Sequence, residues 1–172
     1  MEKKLYLYDD KIGAVEYVQH MGDDLTIVNA ARVSFGVKKD EIDNRDKKLI
    51  RYLIKNKHTS TLEHNIITFK FTVPLFVRGQ HHRHRTWSYN EISRRYTDMN
   101  IQFYETNKFR TQHKSNRQAS NLEEVCNPML QRYSPACSHP VPTLASDMIK
   151  MHHKNSLKIF DDLLDAGVCR EQ

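Results

Sequence analysis

The sequence predicts a mixed α+β fold, an antiparallel sheet flanked by helices. Three stretches carry that prediction. Residues 5–8 (Leu-Tyr-Leu-Tyr) and 14–18 (Ala-Val-Glu-Tyr-Val) read as two short strands around a turn, a hairpin. Ile67, Phe69, Phe71 and Val73 alternate with Thr68, Lys70 and Thr72, the period-2 pattern of a strand with one apolar face. Leu49, Ile50, Leu53 and Ile54 share one face of a helix whose other face carries Lys47, Lys48, Arg51 and Lys55.

Taken in order, the hairpin turns at 9–13 through Asp9, Asp10 and Gly13. Gly22-Asp23-Asp24 then starts a helix, since acidic side chains suit the positive end of a helix dipole. Leu25, Val28, Ala31 and Phe35 form its apolar stripe, and Gly36 ends it. Residues 40–56 form the second helix. Residues 57–65 link it to the strand and hold His58, Ser60, Thr61, Glu63 and His64, which suit either an ordinary polar turn or a site. Pro74 stops the strand at 67–73, residues 75–77 stay apolar, and a packed strand is expected to lead directly into the basic stretch that follows.

Further on, Gln102-Phe103-Tyr104 reads as a short strand, and 109–120 is basic and amide-rich. Residues 121–143 contain Pro128, Pro135, Pro140 and Pro142, four of the five prolines, and are expected to be a long loop. Residues 144–166 form a last helix with Met148, Ile149, Leu157, Phe160, Leu163 and Leu164 inward and Gly167 as its cap. His152 and His153 on it read as surface or packing residues.

A chain of 172 residues is expected to be one domain, 1–172, with a sizeable core. Its net charge of +6 favours anionic partners. No apolar run reaches the roughly 20 residues of a membrane helix. Cysteines 126, 137 and 169 are odd in number and widely spaced, so no disulfide framework is expected and a reducing cytoplasm is the simplest setting. Cys137 is read as a loop thiol.

The chemistry concentrates at 78–96, where Arg78, Arg83, Arg85, Arg94 and Arg95 meet three histidines, one carboxylate (Glu91) and the chain's single Trp. Guanidinium forks match phosphate and carboxylate, and aromatic faces stack on flat rings. The combination suits a nucleotide. Two other readings stand beside it: a solvated cationic face, and a module that grips single-stranded nucleic acid. A metal site at His81, His82 and His84 is not expected, because flanking arginines repel a dication and no Cys or acidic partner has useful spacing. The five glycines do not cluster, so there is no Gly-rich phosphate loop, and any dinucleotide must be held by side chains.

Arg83-His84-Arg85, seven residues and then Ser93, within Arg-His-Arg-Thr-Trp-Ser-Tyr-Asn-Glu-Ile-Ser-Arg-Arg-Tyr, resembles the signature of flavin-dependent thymidylate synthases. Ala30-Ala31-Arg32-Val33-Ser34, Lys57-His58, Leu62-Glu63-His64, Phe109-Arg110 and Asn116-Arg117-Gln118 resemble further parts of that family's pattern. The resemblance implies reductive methylation of dUMP to dTMP, with FAD as cofactor and NADPH and methylenetetrahydrofolate as co-substrates. It implies an α/β subunit in a homotetramer with shared active sites. By that resemblance Arg83, His84, Arg85 and Ser93 are catalytic. His58, Ser60, Arg83, His84, Arg85 and Glu91 would hold the flavin. Gln80, Arg83, Glu91, Ser93, Arg94 and Arg95 would bind substrate. Arg94 departs from the pattern, which often has Gly or a small residue there.

The family's pattern also runs on past Gln172, with an Ala-Arg pair, a Leu-Pro stretch, a strand and a helix. Three explanations stand: a fragment or split protein needing a second chain, a shortened variant with different work, or a truncated sequence.

Overall fold

A computed structural model describes residues 3–8, 11–133 and 136–170, which fall into two compact units divided between Val73 and Pro74. Each is described by itself. Asp9, Asp10 and Pro135, named above in the hairpin turn and the proline-rich stretch, lie outside the described residues.

The first unit is built on a three-stranded antiparallel sheet, β1 (Lys4–Tyr6), β2 (Ala14–Met21) and β3 (Ile66–Thr72), in that order. The expected hairpin is present, with Tyr6 opposite Ala14. β2 pairs with β3 so that Val15 faces Phe71 and Tyr17 faces Phe69, and a bulge between Tyr17 and Gln19 adds one residue to β2. Between these strands lie helices α1 (Asp24–Arg32) and α2 (Asn44–Lys55).

Both helices start at a reciprocal cap. The Asp23 carboxylate accepts from the Thr26 amide at 2.8 Å while Thr26 Oγ1 accepts from the Asp23 amide at 3.2 Å. Asp43 and Asp46 repeat the arrangement, with Asp43 Oδ1 accepting from Asp46 N at 2.9 Å and Asp46 Oδ2 accepting from Asp43 N at 3.0 Å. That pair starts α2 at Asn44 and not at residue 40, because Asp43 is the residue whose side chain can satisfy the orphan amides. Gly36, in the left-handed region at φ +64°, closes the short 3-10 turn after α1 as expected.

Asp46 is fully buried. Its carboxylate meets Arg32 Nη2 at 2.6 Å and also the Lys39 ammonium. Lys39, the Asp43 amide and Arg32 together hold the Asp46 carboxyl far below the usual carboxylate range. One side chain therefore ties the end of α1, the 36–43 connection and the start of α2. Ile27 and Val28 of α1 and Leu53 of α2 are the buried apolar residues of these two helices.

The second unit contains α3 (Leu75–His81), two β-hairpins and α4 (Ala145–Asp165). β4 (Phe109–Gln112) pairs with β5 (Ser120–Cys126), and β6 (Met129–Arg132) pairs with β7 (Val141–Leu144). α4 follows β7 directly. Leu144 offers no capping side chain, and Asn127 Oδ1 accepts from the Ser146 amide at 3.2 Å in its place. Gly167 caps the far end at φ +84°.

The structure corrects four expectations. The proline-rich stretch 121–143 is not one long loop, since it contains most of β5, all of β6 and most of β7. Pro142 is tolerated there because a two-stranded ribbon leaves each strand one unpaired edge. Residues 102–104 form no strand; Phe103 instead stacks on His153 of α4 at 4.3 Å, and Tyr104 packs edge-on to Phe76 at 5.7 Å. Residues 75–77 are the first turn of α3, so a helical turn and not a strand leads into the basic stretch, whose residues 78–81 continue that helix. Finally, β3 is exposed along its whole length, with Ile67 57% and Phe69 42% accessible. The apolar core is correspondingly small: Ala14, Ile27, Val28, Leu53 and Ala145 are the buried apolar residues among those described.

Candidate functional site: an arginine–histidine loop

Pro74 lacks an N–H and takes an extended ψ of 150°, which ends the strand and starts α3 without a side-chain cap. α3 is only seven residues long and unwinds through successive tight turns. The amide of Arg83 donates to the Gln80 carbonyl at 3.1 Å, that of His84 to His81 at 3.0 Å, and that of Trp87 to His84 at 3.4 Å. The basic residues 83–85 thus sit on wound backbone and not on a free loop.

Two longer ties fold the chain back onto α3. The Tyr89 hydroxyl lies 2.9 Å from the His81 carbonyl and 2.8 Å from the His84 carbonyl. Arg78 Nη2 donates to Glu91 Oε1 at 2.8 Å, and its Nε lies 2.8 Å from Oε2, an ion-pair approach in which that N–H is not aimed at the oxygen. Between the ties the rings pack together. His81 meets the Trp87 ring edge-on at 4.6 Å, His82 lies 4.3 Å from Tyr89, and Trp87 stacks with Tyr89 at 6.4 Å.

The consequence is a division of labour among like residues. The three histidines are used within the aromatic cluster. Arg78 is used by Glu91. Arg94 is used in bracing the next turn, donating from Nη1 to the Met99 carbonyl at 2.8 Å. Arg83 and Arg85 are exposed, and among the described residues their guanidinium groups have no hydrogen bond or ion pair. They are not neutralised by local carboxylates, so their charge is available to an outside anion.

Of the remaining sequence-predicted residues, Gln80 is exposed at the end of α3. Ser93 Oγ accepts from the Arg95 amide at 3.3 Å, which winds a turn at 93–96. Glu91 is the acceptor for Arg78, a use the sequence reading did not foresee. Tyr89 lies eight positions after His81, and the contact is made by the chain folding back across a turn and not by side chains sharing one face of a helix or strand. Its tie is therefore invisible to pattern analysis.

His58 and Ser60 belong to the first unit. α2 ends in a reciprocal pair of bonds, Lys57 N to Ile54 O at 3.1 Å and His58 N to Leu53 O at 2.9 Å, with Lys57 at φ +58°. His58 then stacks on Tyr52 at 6.1 Å, and Ser60 lies exposed in the 3-10 turn Thr59–His64. The first unit also has two concavities. One, of about 500 Å³, lies between Met21, Asp23, Ile42 and Asn65; the other, of about 680 Å³, lies between Asn29, Val33, Val37 and His64.

The sequence pattern described as thymidylate synthase complementing protein matches residues 16–172. A flavin-dependent thymidylate synthase of Thermosipho africanus is 36% identical over 159 residues, 92% of this chain and 64% of that protein. One of Borreliella burgdorferi is 33% identical over 176 residues, 99% of this chain and 57% of that protein. Among solved structures, the UMP/dUMP methylase PolB of Streptomyces cacaoi bound with 5-Br dUMP is 29% identical. It matches with a TM-score of 0.57 over 91% of this chain and 63% of its own. The chain therefore spans less than two thirds of the length of these relatives. With its family pattern matched from Glu16 onward, its mixed α/β architecture shared with PolB, and its arginine–histidine signature intact, the chain belongs to the thymidylate synthase complementing protein family.

Proposed function

We propose that this chain carries the nucleotide- and flavin-gripping part of a flavin-dependent thymidylate synthase, which methylates dUMP to dTMP. The observation that carries this reading is the pair of unpaired guanidinium groups, Arg83 and Arg85, flanking His84 on wound backbone. A phosphate held by two such forks gains charge-assisted bonds of about 1.5–3 kcal/mol each. The donor set fits a dinucleotide as well, because no glycine cluster offers backbone amides to a diphosphate and side chains must do so.

In this reading Arg83, His84 and Arg85 clamp the anionic groups of FAD and dUMP. His58 and Ser60 approach the flavin. Gln80, Ser93 and Arg95 supply substrate contacts; Arg94 adds to them with donor capacity beyond its Met99 bond, and Glu91, with lone pairs beyond those facing Arg78, accepts from a ring N–H of nucleotide or flavin. Bound FAD, reduced by NADPH, supplies the hydride that turns the one-carbon unit of methylenetetrahydrofolate into a methyl group. The chain's own task is to hold flat rings face to face, so that transfer is nearly intramolecular, and to set fixed cations where charge develops on the pyrimidine.

We further propose a homotetramer with sites shared between copies, and additional contacts from polypeptide outside these 172 residues, in the same protein or in a second chain. Large apolar side chains left exposed, Phe35 at 82% and Leu75 at 72% among them, support a partner surface. Three unpaired, exposed cysteines suit a reducing cytoplasm.

The test is Arg83→Ala. It is expected to lower both flavin occupancy, read from visible absorbance, and dUMP affinity by about tenfold or more, the loss of one charged bond of the size above. Unchanged flavin occupancy would overturn the assignment.

A further inference from the structure

We infer that Tyr89 is a positioning residue for the Arg83–Arg85 pair: its hydroxyl is the latch that holds the loop in the conformation that presents both guanidinium groups. The inference rests on the function proposed above for that pair.

The geometry is local and complete. The Tyr89 hydroxyl reaches the carbonyls of His81 and His84 at 2.9 and 2.8 Å. A phenol has one proton, so the two contacts share it in a three-centre bond. Each carbonyl already accepts one amide, His81 from His84 and His84 from Trp87. The hydroxyl therefore occupies the second lone pair of both. Arg83 lies between the two pinned carbonyls and Arg85 directly follows the second. The pinned carbonyls belong to the 81–82 and 84–85 peptide planes; the second flanks Arg85 directly, and the 83–84 plane that flanks Arg83 is tied to the first through the His84 amide, so both Cα–Cβ directions are set from outside the turn. The Tyr89 ring is itself held between His82 and Trp87. Arg78–Glu91 closes the same fold from two residues further on. Tyr89 contributes no charge and touches no predicted ligand group. It acts through the backbone alone.

Two measurements on the full chain test this. First, Tyr89→Phe keeps the ring and removes the oxygen. Trypsin cleavage after Arg83 and Arg85 is expected to speed up about three- to tenfold, the opening expected from one lost hydrogen bond, with other sites unchanged. An unchanged cleavage rate overturns the latch. Second, dUMP affinity by titration calorimetry is expected to fall about three- to tenfold in Tyr89→Phe, but not further when the change is made in a background carrying both Arg83→Ala and Arg85→Ala. Equal losses in both backgrounds would mean the hydroxyl acts other than through that pair and would also overturn the proposal. If Tyr89→Phe shows the trypsin effect but the wild-type chain binds no dUMP, the proposed function is rejected while the latch stands.

Discussion

Lys57 stands in the left-handed region at φ +58°, where an L side chain crowds its own carbonyl. The residue ends α2 in the same pair of bonds that ends α4. There the amide of Gly167 donates to Leu164 at 2.9 Å and that of Val168 to Leu163 at 2.9 Å, but the left-handed residue is a glycine. The left-handed conformation costs a non-glycine residue about 1–2 kcal/mol, and glycine's extra freedom in the unfolded chain costs about 0.5–1 kcal/mol. The Lys57 side chain is exposed, and among the described residues it makes no ion pair that the substitution would remove. Lys57→Gly is therefore expected to stabilise the protein by about 0.5–1 kcal/mol, a rise in Tm of about 1–4 °C for a chain of this size. The readout is far-UV circular dichroism, because the single Trp lies at 87, outside the unit that holds Lys57. Lys57→Ala is the control and should change little, since alanine carries the same left-handed penalty. Gly167→Ala should lose about 1 kcal/mol by the same physics in reverse. A Tm that falls in Lys57→Gly, or rises equally in Lys57→Ala, would refute the strain argument.

Gly22 and Gly36 make a second matched pair. At Gly22, φ is +83° and an added Cβ would come 1.8 Å from Asn65 Oδ1, whereas nothing lies within 4 Å of one at Gly36. Asn65 is also bonded to the Asp23 carbonyl at 3.2 Å and cannot swing away freely. Gly22→Ala should cost about 2 kcal/mol or more and Gly36→Ala about 1 kcal/mol, measured as shifts in urea midpoint; equal effects would count against the close approach. The Asp46 carboxyl titrates far lower in the folded chain than its unfolded value of about 3.9. Its contribution is present above that value and is lost as pH falls through the folded one. Lys39, raised above its usual value, works in the opposite sense and is lost only as pH rises past about 10.4. Asp46→Asn should flatten the acid limb of a stability–pH curve below about pH 4; an unaltered limb would show that the Lys39 and Arg32 contacts carry no linkage.

Much of the first unit is legible in the sequence because its signals are local. Strand alternation at 67–73, two short strands around a turn, and the acidic helix start at Gly22-Asp23-Asp24 each depend on residues close together in the chain. Asp40, Glu41, Asp43 and Asp46 are all acidic, so the sequence pattern does not single out where α2 starts. Which of them caps is settled in space, where Asp46 is held by Arg32 from the end of α1 and by Lys39 from the connection. In the second unit the prolines misled. Proline forbids a central strand but not the free edge of a two-stranded ribbon, and the ribbon exists only once Leu130 has found Thr143.

The same division holds at the site. The sequence alone determined which groups are present: guanidinium, imidazole and aromatic rings at 78–96, with no glycine cradle, because composition and spacing are properties of the chain itself. Tertiary structure alone decided which of those groups are spent internally and which are left over. Arg78 and Glu91 neutralise each other and Arg94 braces a turn, while Arg83 and Arg85 have no such partner among the described residues. The physical reason is that pairing depends on distance in space, and the folding back of Tyr89 onto His81 and His84 sets those distances across gaps that no sequence period records.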